Sequence, residues 1–549
     1  MSSGSREEQQ GLLSPQSQEF ELENLDTLLA FPSSSTIPSA SWHSPRKVLG
    51  LLPAAIVNRF VSSFQRPRPG RLTLKSDHRH FWHRIRLYWL RTVCKAVLAL
   101  VLLVCTLGLL CAVFFPSYSR PPAHYSELER RVRREPTQDG RANINNERIF
   151  IAAALYDPGG RLVTGDWAES VRALIGILGP WNVHLSVYEN DLDDKSKAAL
   201  MHFKETLGCN NTIVQEDVDL STLPYVTTSD GTRRLKRMQF LAYVRNKALE
   251  PLRDSPVRFD RLLYLNDIIF NPVDAAHLLF STNLDEAGVT HYRAACAVDF
   301  ENPFKFYDTF ATRDLDGYGM GVIFYPWFTG AGSATSRSAV LAQRDAVPVT
   351  SCWGGMVAFE AKWFQLSEVE GAQTAHGVQL PLGFRAEKDV YWDASECCLI
   401  HADLAVIAAT PSSETGIYMN PYVRVAYSKQ VLDWLRITRR IERLYSPVQS
   451  IVNWISGRPT FNPRRLEKPG QEVIHRTWVW NNTQTGSHDA TTDIAETRTL
   501  GMFKDVQTRA LPGSFCGRRS LSFLSKELSI DGKKWSHDEV PGGAAVARP

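Results

Sequence analysis

The residues of this chain that can do chemistry are mostly acids set where apolar runs end. From Phe259 to Pro272 the sequence reads FDRLLYLNDIIFNP. Arg261 to Leu265 predicts a strand, Asn266-Asp267 forms a polar tip, and Ile268, Ile269 and Phe270 resume the apolar character. Asn271-Pro272 closes the segment, because proline cannot continue a central strand. A run of this kind suits a strand covered on both faces of an α/β sheet. Ligands of such sheets sit outside the carboxyl ends of the strands. A carboxylate there can hold a divalent metal against a pyrophosphate, which makes Asp267 the first candidate metal ligand. An Asx-type turn after a core strand fits the same residues.

Other candidates follow the same logic. Val183 to Tyr188 alternates like a strand and runs into Glu189-Asn190-Asp191. Between Thr232 and Leu252, Met238, Leu241, Leu249 and Leu252 share a helical face that also carries Arg245, followed by Asn246. An arginine in an apolar stripe needs a partner, because burying an unpaired charge is costly. A phosphate held by the guanidinium fork would serve; so would an internal salt bridge or snorkelling to the surface. From Asp299 the chain is dense in acids and aromatics: Asp299-Phe300-Glu301, Phe306-Tyr307-Asp308, Arg313-Asp314, then Tyr325 to Phe328. Aromatic faces cover the C–H face of a pyranose while carboxylates accept its hydroxyl protons, and a mixed core has the same composition. Glu396 and His401 are close enough in sequence to reach one site, and His401 reads equally as a satisfied core histidine.

Strands and helices must position these groups. Ile149 to Leu155 predicts a first buried strand, Trp167 to Leu178 a helix, Asp194 to Leu207 a second helix, Thr212 to Gln215 a short strand, and Pro272 to Leu279 another helix. Ala294 to Asp299 reads as a strand, Val349 to Phe359 has a strand-like end, and Tyr418 to Tyr427 reads as a late edge strand. The alternation implies a mostly parallel α/β sheet.

The 549 residues suffice for two or more domains. With 44% hydrophobic and 22% charged residues, most of the chain can fold around a core. A net charge of +4, without zinc-finger spacing or an RNA-binding signature, excludes nucleic acid as the expected partner. Ala96 to Phe115 is 20 residues without a charge, the length of a membrane-spanning helix. Arg84, Arg86, Arg91 and Lys95 precede it, whereas residues 116–130 carry only Arg120 and Arg130, so the N-terminus is expected in the cytosol. The expected organisation is a disordered cytosolic tail over 1–75, a basic juxtamembrane segment over 76–95, the span over 96–115, a stem over 116–146, a globular domain over 147–458 and a polar tail over 459–549 with little independent fold. Within the domain, 428–458 reads as a helical extension. Six of the nine cysteines follow the span, where disulfides are permitted; fifteen full pairings are open. Asn210 and Asn481 are glycosylation acceptors in this topology.

Several of these stretches together resemble one family. They are Tyr188-Glu189-Asn190, Arg245 to Leu249, Leu265 to Phe270, Val298-Asp299-Phe300, Phe306 to Thr309, Arg313-Asp314, Ser351-Cys352-Trp353, Ser395-Glu396-Cys397 and Asn420 to Arg424. In this order they resemble the fungal capsule-type mannosyltransferases, glycosyltransferase family 69. The resemblance implies a GT-A-like nucleotide-diphospho-sugar transferase domain with a Rossmann-like mixed sheet, and a Golgi type II membrane protein with a lumenal catalytic domain. It also implies GDP-mannose as donor, a mannoside glycan as acceptor, transfer with retention to an α-1,3 linkage, and manganese or another divalent metal. Many GT-A enzymes carry Asp-x-Asp; here Asn266-Asp267-Ile268 offers a single acid, so Asp267 would bind metal with help from Asn266 or His401. Glu189, Arg245, Asn246 and Asn266 are then expected at the nucleotide. Asp299, Asp308 and Asp314 are expected at donor and acceptor hydroxyls, and Glu396 below the anomeric carbon. A complex with other Golgi transferases is a further expected partner; a non-catalytic Golgi scaffold or sugar-binding subunit, and a UDP-sugar transferase, are the alternative expectations.

Overall fold

The computed structural model describes residues 76–190, 194–365, 376–408, 415–480, 501–525 and 535–541. It forms two compact units, residues 22–108 and a larger unit that includes residues 109–549. Residues 76–108 of the Ser76–Phe114 helix are the described part of the first unit. Its Tyr88–Phe114 stretch has a mean hydropathy of 3.0 over its most apolar window. Leu100, Leu103 and their neighbours are nonetheless exposed. A long apolar helix with its side chains outward fits a single-pass membrane anchor. Pro116 follows it, where a helix cannot readily continue.

The larger unit is built on a ten-stranded mixed sheet. Its strands in chain order are β1 (Ile149–Leu155), β2 (Val183–Glu189) and β3 (Asn210–Gln215), then, after the small hairpin β4 (Val226–Thr227) and β5 (Arg233–Arg234), β6 (Arg261–Leu265). They continue with β7 (Ala294–Asn302), β8 (Lys305–Phe306), β9 (Arg313–Asp314), β10 (Val347–Ser351), β11 (Met356–Glu360) and, after the short β12 (Asp393–Ala394), β13 (Ile417–Ala426). The spatial order is β3-β2-β1-β6-β11-β7-β13-β10-β9, with β8 paired to β7. Only the β3–β2–β1–β6 half is parallel throughout; β11 runs antiparallel to both β6 and β7. The sheet is therefore mixed, as expected of a GT-A-like domain, and less parallel than the strand–helix alternation alone implies.

β1 shows why the sheet is covered twice. Phe150 and Ala152 enter the core shared with the Arg237–Arg253 helix, while Ile149, Ile151 and Ala153 enter the core shared with the Asp166–Leu178 and Pro272–Phe280 helices. Successive strand side chains point to opposite faces, so an unbroken apolar run feeds two cores.

Four expectations change. β13 is an interior strand between β7 and β10, not an edge. Pro421, which has no N–H to donate, is accommodated by a register shift between Met419 and Arg424. The helix expected from Thr232 begins at Arg237, because Arg233–Arg234 pairs with Val226–Thr227. The stem is packed on the domain rather than standing off as a spacer: Ser117, Tyr118, Tyr125, Leu128 and Ala142 are buried, although the surrounding charges hide them in the sequence. The chain beyond 459 also folds. β14 (Glu472–Trp480) and β15 (Gly501–Arg509) form a hairpin, β16 (Gly517–Arg518) pairs with β12, and β17 (Leu521–Leu524) pairs with β18 (Trp535–Asp538). A Cys398–Cys516 disulfide fastens this segment to the Glu396–Ile407 helix, and Cys296–Cys352 ties β7 to the turn after β10. Asn210 is exposed at the start of β3; Asn481 and the tail over 1–75 lie outside the described residues.

Candidate active site at the strand ends

The parallel strands β2, β1 and β6 lie side by side, so their carboxyl ends open onto one edge. Each end carries polar residues: Glu189 and Asn190 after β2, Asp157 after β1, and Asn266 and Asp267 after β6. Asn266 is fixed on every side. Its N–H donates to the Gly355 carbonyl (2.9 Å) and its carbonyl accepts from the Trp167 indole (3.0 Å). Its Oδ1 accepts from Arg245 Nη1 and from Trp353 Nε1, both at 3.2 Å. Gly354 and Gly355 make the close approach of the Trp353 turn possible. Both have positive φ, and a Cβ on Gly354 would lie 2.0 Å from the Ala297 carbonyl oxygen.

Asp267 is different. It is half-buried, and among the described residues it makes no hydrogen bond or ion pair to another side chain. Burial pushes its carboxyl up to about 7; its own N–H and Arg245 favour the charge, while Asp157 opposes it. Asp157 is already committed to the Leu162 and Val163 N–H groups at 2.9–3.0 Å. Asp267 thus offers oxygens at a strand end where the neighbouring acid does not.

Arg245 lies on the buried face of its helix, 4.6 Å over the Trp353 ring and flanked by Tyr264 and Phe384. Its Nε donates to Glu396 Oε1 at 3.0 Å, so an internal ion pair satisfies the arginine. Burial opposes that charge, but facing Cys397 and Glu396 raise its pKa above the usual value. The second oxygen of Glu396 makes no hydrogen bond among the described residues.

The acids after β7 are bound up in the fold. Asp299 accepts from the Asp308 N–H (3.1 Å) and from Tyr427 Oη (3.0 Å). Asp308 accepts from the Ala311 and Gly354 N–H groups at 3.1 and 3.2 Å. Burial raises both carboxyls, and the charge of Asp308 adds to the effect on Asp299. Both remain near the site: Asp308 feels Glu396, and Tyr307 and Tyr427, in edge contact at 4.8 Å, feel Asp267. Glu189, at the end of β2, is buried and accepts from Gln215 Nε2 at 3.3 Å. Beside it, the amide of Asn190 is fully buried, with neither its oxygen nor its nitrogen hydrogen-bonded among the described residues. Such an orphan at a strand end suits a polar ligand. In the sequence it is marked by its place after the β2 run and by the Tyr188-Glu189-Asn190 stretch.

Three expected site residues serve elsewhere. Asn246 pairs with the Phe384 backbone through both amide atoms, at 2.8 and 2.9 Å. Asp314 Oδ1 accepts from the Asp316 and Tyr318 N–H groups and shapes the turn after β9; burial pushes its carboxyl up to about 7. His401 is fully buried, with Nδ1 on the Cys397 carbonyl (2.8 Å) and Nε2 3.9 Å from Cys296 Sγ. His401, Cys296 and Cys352 cluster within 4.8 Å, but the two sulfurs are joined in a disulfide and offer no thiolate. Burial lowers the His401 pKa to about 4, as for a core histidine.

A comparison with curated proteins found no match. Among solved structures, the mannosyltransferase PcManGT from Pyrobaculum calidifontis, solved with GDP-Man and Mn2+, is 12% identical. That match covers 62% of this chain and 83% of PcManGT at a TM-score of 0.29. The mannosyl-3-phosphoglycerate synthase from Rubrobacter xylanophilus is 11% identical over 73% of this chain and 96% of its own, at a TM-score of 0.26. TarS 1-349 from S. aureus is 10% identical over 53% and 64%, at 0.25. The family model described as Cryptococcal mannosyltransferase 1 matches residues 148–403. That range runs from the residue before β1 into the Glu396–Ile407 helix and holds all the residues of the strand-end cluster. Residues 148–403 are therefore similar to the family that the sequence motifs resemble.

Proposed function

We propose that the domain transfers mannose from GDP-mannose to a mannoside, with retention and an α-1,3 linkage, in the Golgi lumen behind its single anchor. The observation that carries this reading is the family match over residues 148–403, where Asp267 at the end of β6 binds no other side chain among the described residues. A divalent cation fits there. Magnesium-like ions are commonly held by one or two carboxylates plus substrate phosphates and water, so a single acid suffices. Asp267 would hold it without His401, and manganese there would neutralise charge on the departing diphosphate.

The chain's own residues do the rest. Glu189 and Asn190 bind the nucleoside at the β2 end, where the orphan Asn190 amide gains partners. Arg245 acts as a positioning residue: it holds Asn266, and so the turn that carries Asp267, while Glu396 neutralises it. Glu396 keeps its second oxygen for the anomeric centre, where it stabilises developing positive charge. The anomeric bond to phosphate breaks, the bond to the acceptor oxygen forms on the same face, and the acceptor proton passes to the departing phosphate. No strong external base is required. Asp299 and Asp308 shape the wall beside Tyr307 and Tyr427.

The test is a donor screen on the purified full chain with GDP-mannose, UDP-xylose and UDP-glucuronic acid, manganese and α-mannosides. A GDP-mannose-dependent α-1,3 product, lost on chelation, is the expected result. Turnover confined to a UDP-sugar would overturn the donor assignment. A folded chain that binds and turns over none of the three would be a scaffold.

A further inference from the structure

The Tyr445–Ile455 helix is inside out for the surface of a water-soluble domain. Its buried side chains are the polar Gln449 and Asn453. Gln449 accepts from Arg337 Nη1 (2.6 Å), and Asn453 Oδ1 accepts from the Val322 N–H (2.7 Å). Val448, Ile451, Trp454 and Ile455 point outward, Trp454 with 83% of its surface exposed. A surface helix normally does the reverse. The Lys429–Thr438 helix adds exposed Trp434 and Ile437, with exposed Arg436 and Arg440 beside them. Exposed Phe304 connects the two helices: its ring meets Tyr445 at 6.4 Å, and the Thr438 hydroxyl donates to the adjacent Pro303 carbonyl.

The chain itself says what covers this face. The apolar run ends at Phe115, and Ser117 and Tyr118 are already buried in the domain. The Tyr118 N–H donates to Gln343, and its hydroxyl donates to the Val340 carbonyl at 3.2 Å. Three residues of chain reach roughly 10 Å, so a domain held this way cannot stand away from the bilayer. At the same end of the run, Cys111 Sγ lies 3.9 Å from the carbonyl of Arg440, at the edge of the apolar face.

We infer that this face docks on the lipid leaflet from which the anchor emerges, seating the domain as an interfacial body; this rests on the membrane reading of Tyr88–Phe114. Tryptophan at the headgroup level, isoleucines and valine toward the acyl boundary, and arginines beside them are the side chains of an interfacial helix. An apolar patch of this extent in water would be a liability.

The test uses the full chain in phosphatidylcholine liposomes, with a photoreactive benzophenone amino acid placed singly at Ile437, Ile451 or Trp454. Met201 serves as control, exposed on the helix behind β3, seven strand spacings or roughly 30 Å of sheet from β10. Val101 reports the anchor. Lipid adducts at 437, 451 and 454, several-fold above position 201, are expected. Adducts at 101 with none at the three sites would overturn the docking face, and chain-to-chain adducts there would assign it to a second copy instead. No lipid adduct at 101 would overturn the anchor, and the proposal with it.

Discussion

Two acid-bearing regions of this domain look alike in sequence and differ in the fold. Asp299, Asp308 and Asp314 lie in a stretch rich in acids and aromatics, and each is held by hydrogen bonds from backbone or tyrosine. Asp267 stands alone at the end of β6 beside an asparagine that carries four hydrogen bonds, and it binds no other side chain among the described residues. The number of acids in a stretch does not mark a site. What marks it is a carboxylate that binds no other side chain among the described residues, beside an asparagine held by four hydrogen bonds.

The largest effect belongs to Asp267. Asp267→Asn should lower turnover about 1,000-fold, the cost of losing several kcal/mol of charge stabilisation, with an unchanged melting temperature. In differential scanning fluorimetry, manganese plus GDP should stabilise the wild-type chain and not this variant. Next comes the buried pair that holds the turn. Arg245→Met leaves Glu396 charged and unpaired and should cost about 3–5 kcal/mol in denaturant unfolding, whereas Arg245→Met with Glu396→Leu should recover most of it. Failure of the double variant to recover stability would mean that the pair does more than balance charge.

Asp308→Ala should cost about 2–3 kcal/mol, because it strips the acceptors from two buried N–H groups. Turnover per folded molecule should fall less than tenfold; a far larger loss in a stable variant would return the second region to catalysis. The smallest effect is a pH slope. The Asp314 carboxyl is raised to about 7 by burial, so the folded state holds its proton more tightly than the unfolded chain does. Stability should therefore fall as pH rises between about 4 and 7, and Asp314→Asn should flatten that part of the melting profile.

The sequence carried the parts of this fold that local pattern controls. β1 and β6 are nearly continuous apolar runs, β2 alternates, and Arg245 stood out because a charge interrupted a helical stripe. The pattern could not choose the arginine's partner, because Glu396 is 151 residues away. The interior position of β13 was hidden by Pro421, which argues for an edge until a register shift absorbs it. His401 and Glu396 looked like partners by spacing, yet helix geometry turns the histidine onto the Cys296–Cys352 disulfide. Polar composition hid the folding of the C-terminal segment, which depends on long-range pairing to β12 and on the Cys398–Cys516 bridge.

The most direct measurement is GDP-mannose turnover by the wild-type chain and by Asp267→Asn, side by side, with manganese and after chelation. The account predicts a mannoside product from the wild type that chelation removes, and none from a variant that melts at the same temperature. Wild-type-like turnover by Asp267→Asn would contradict it.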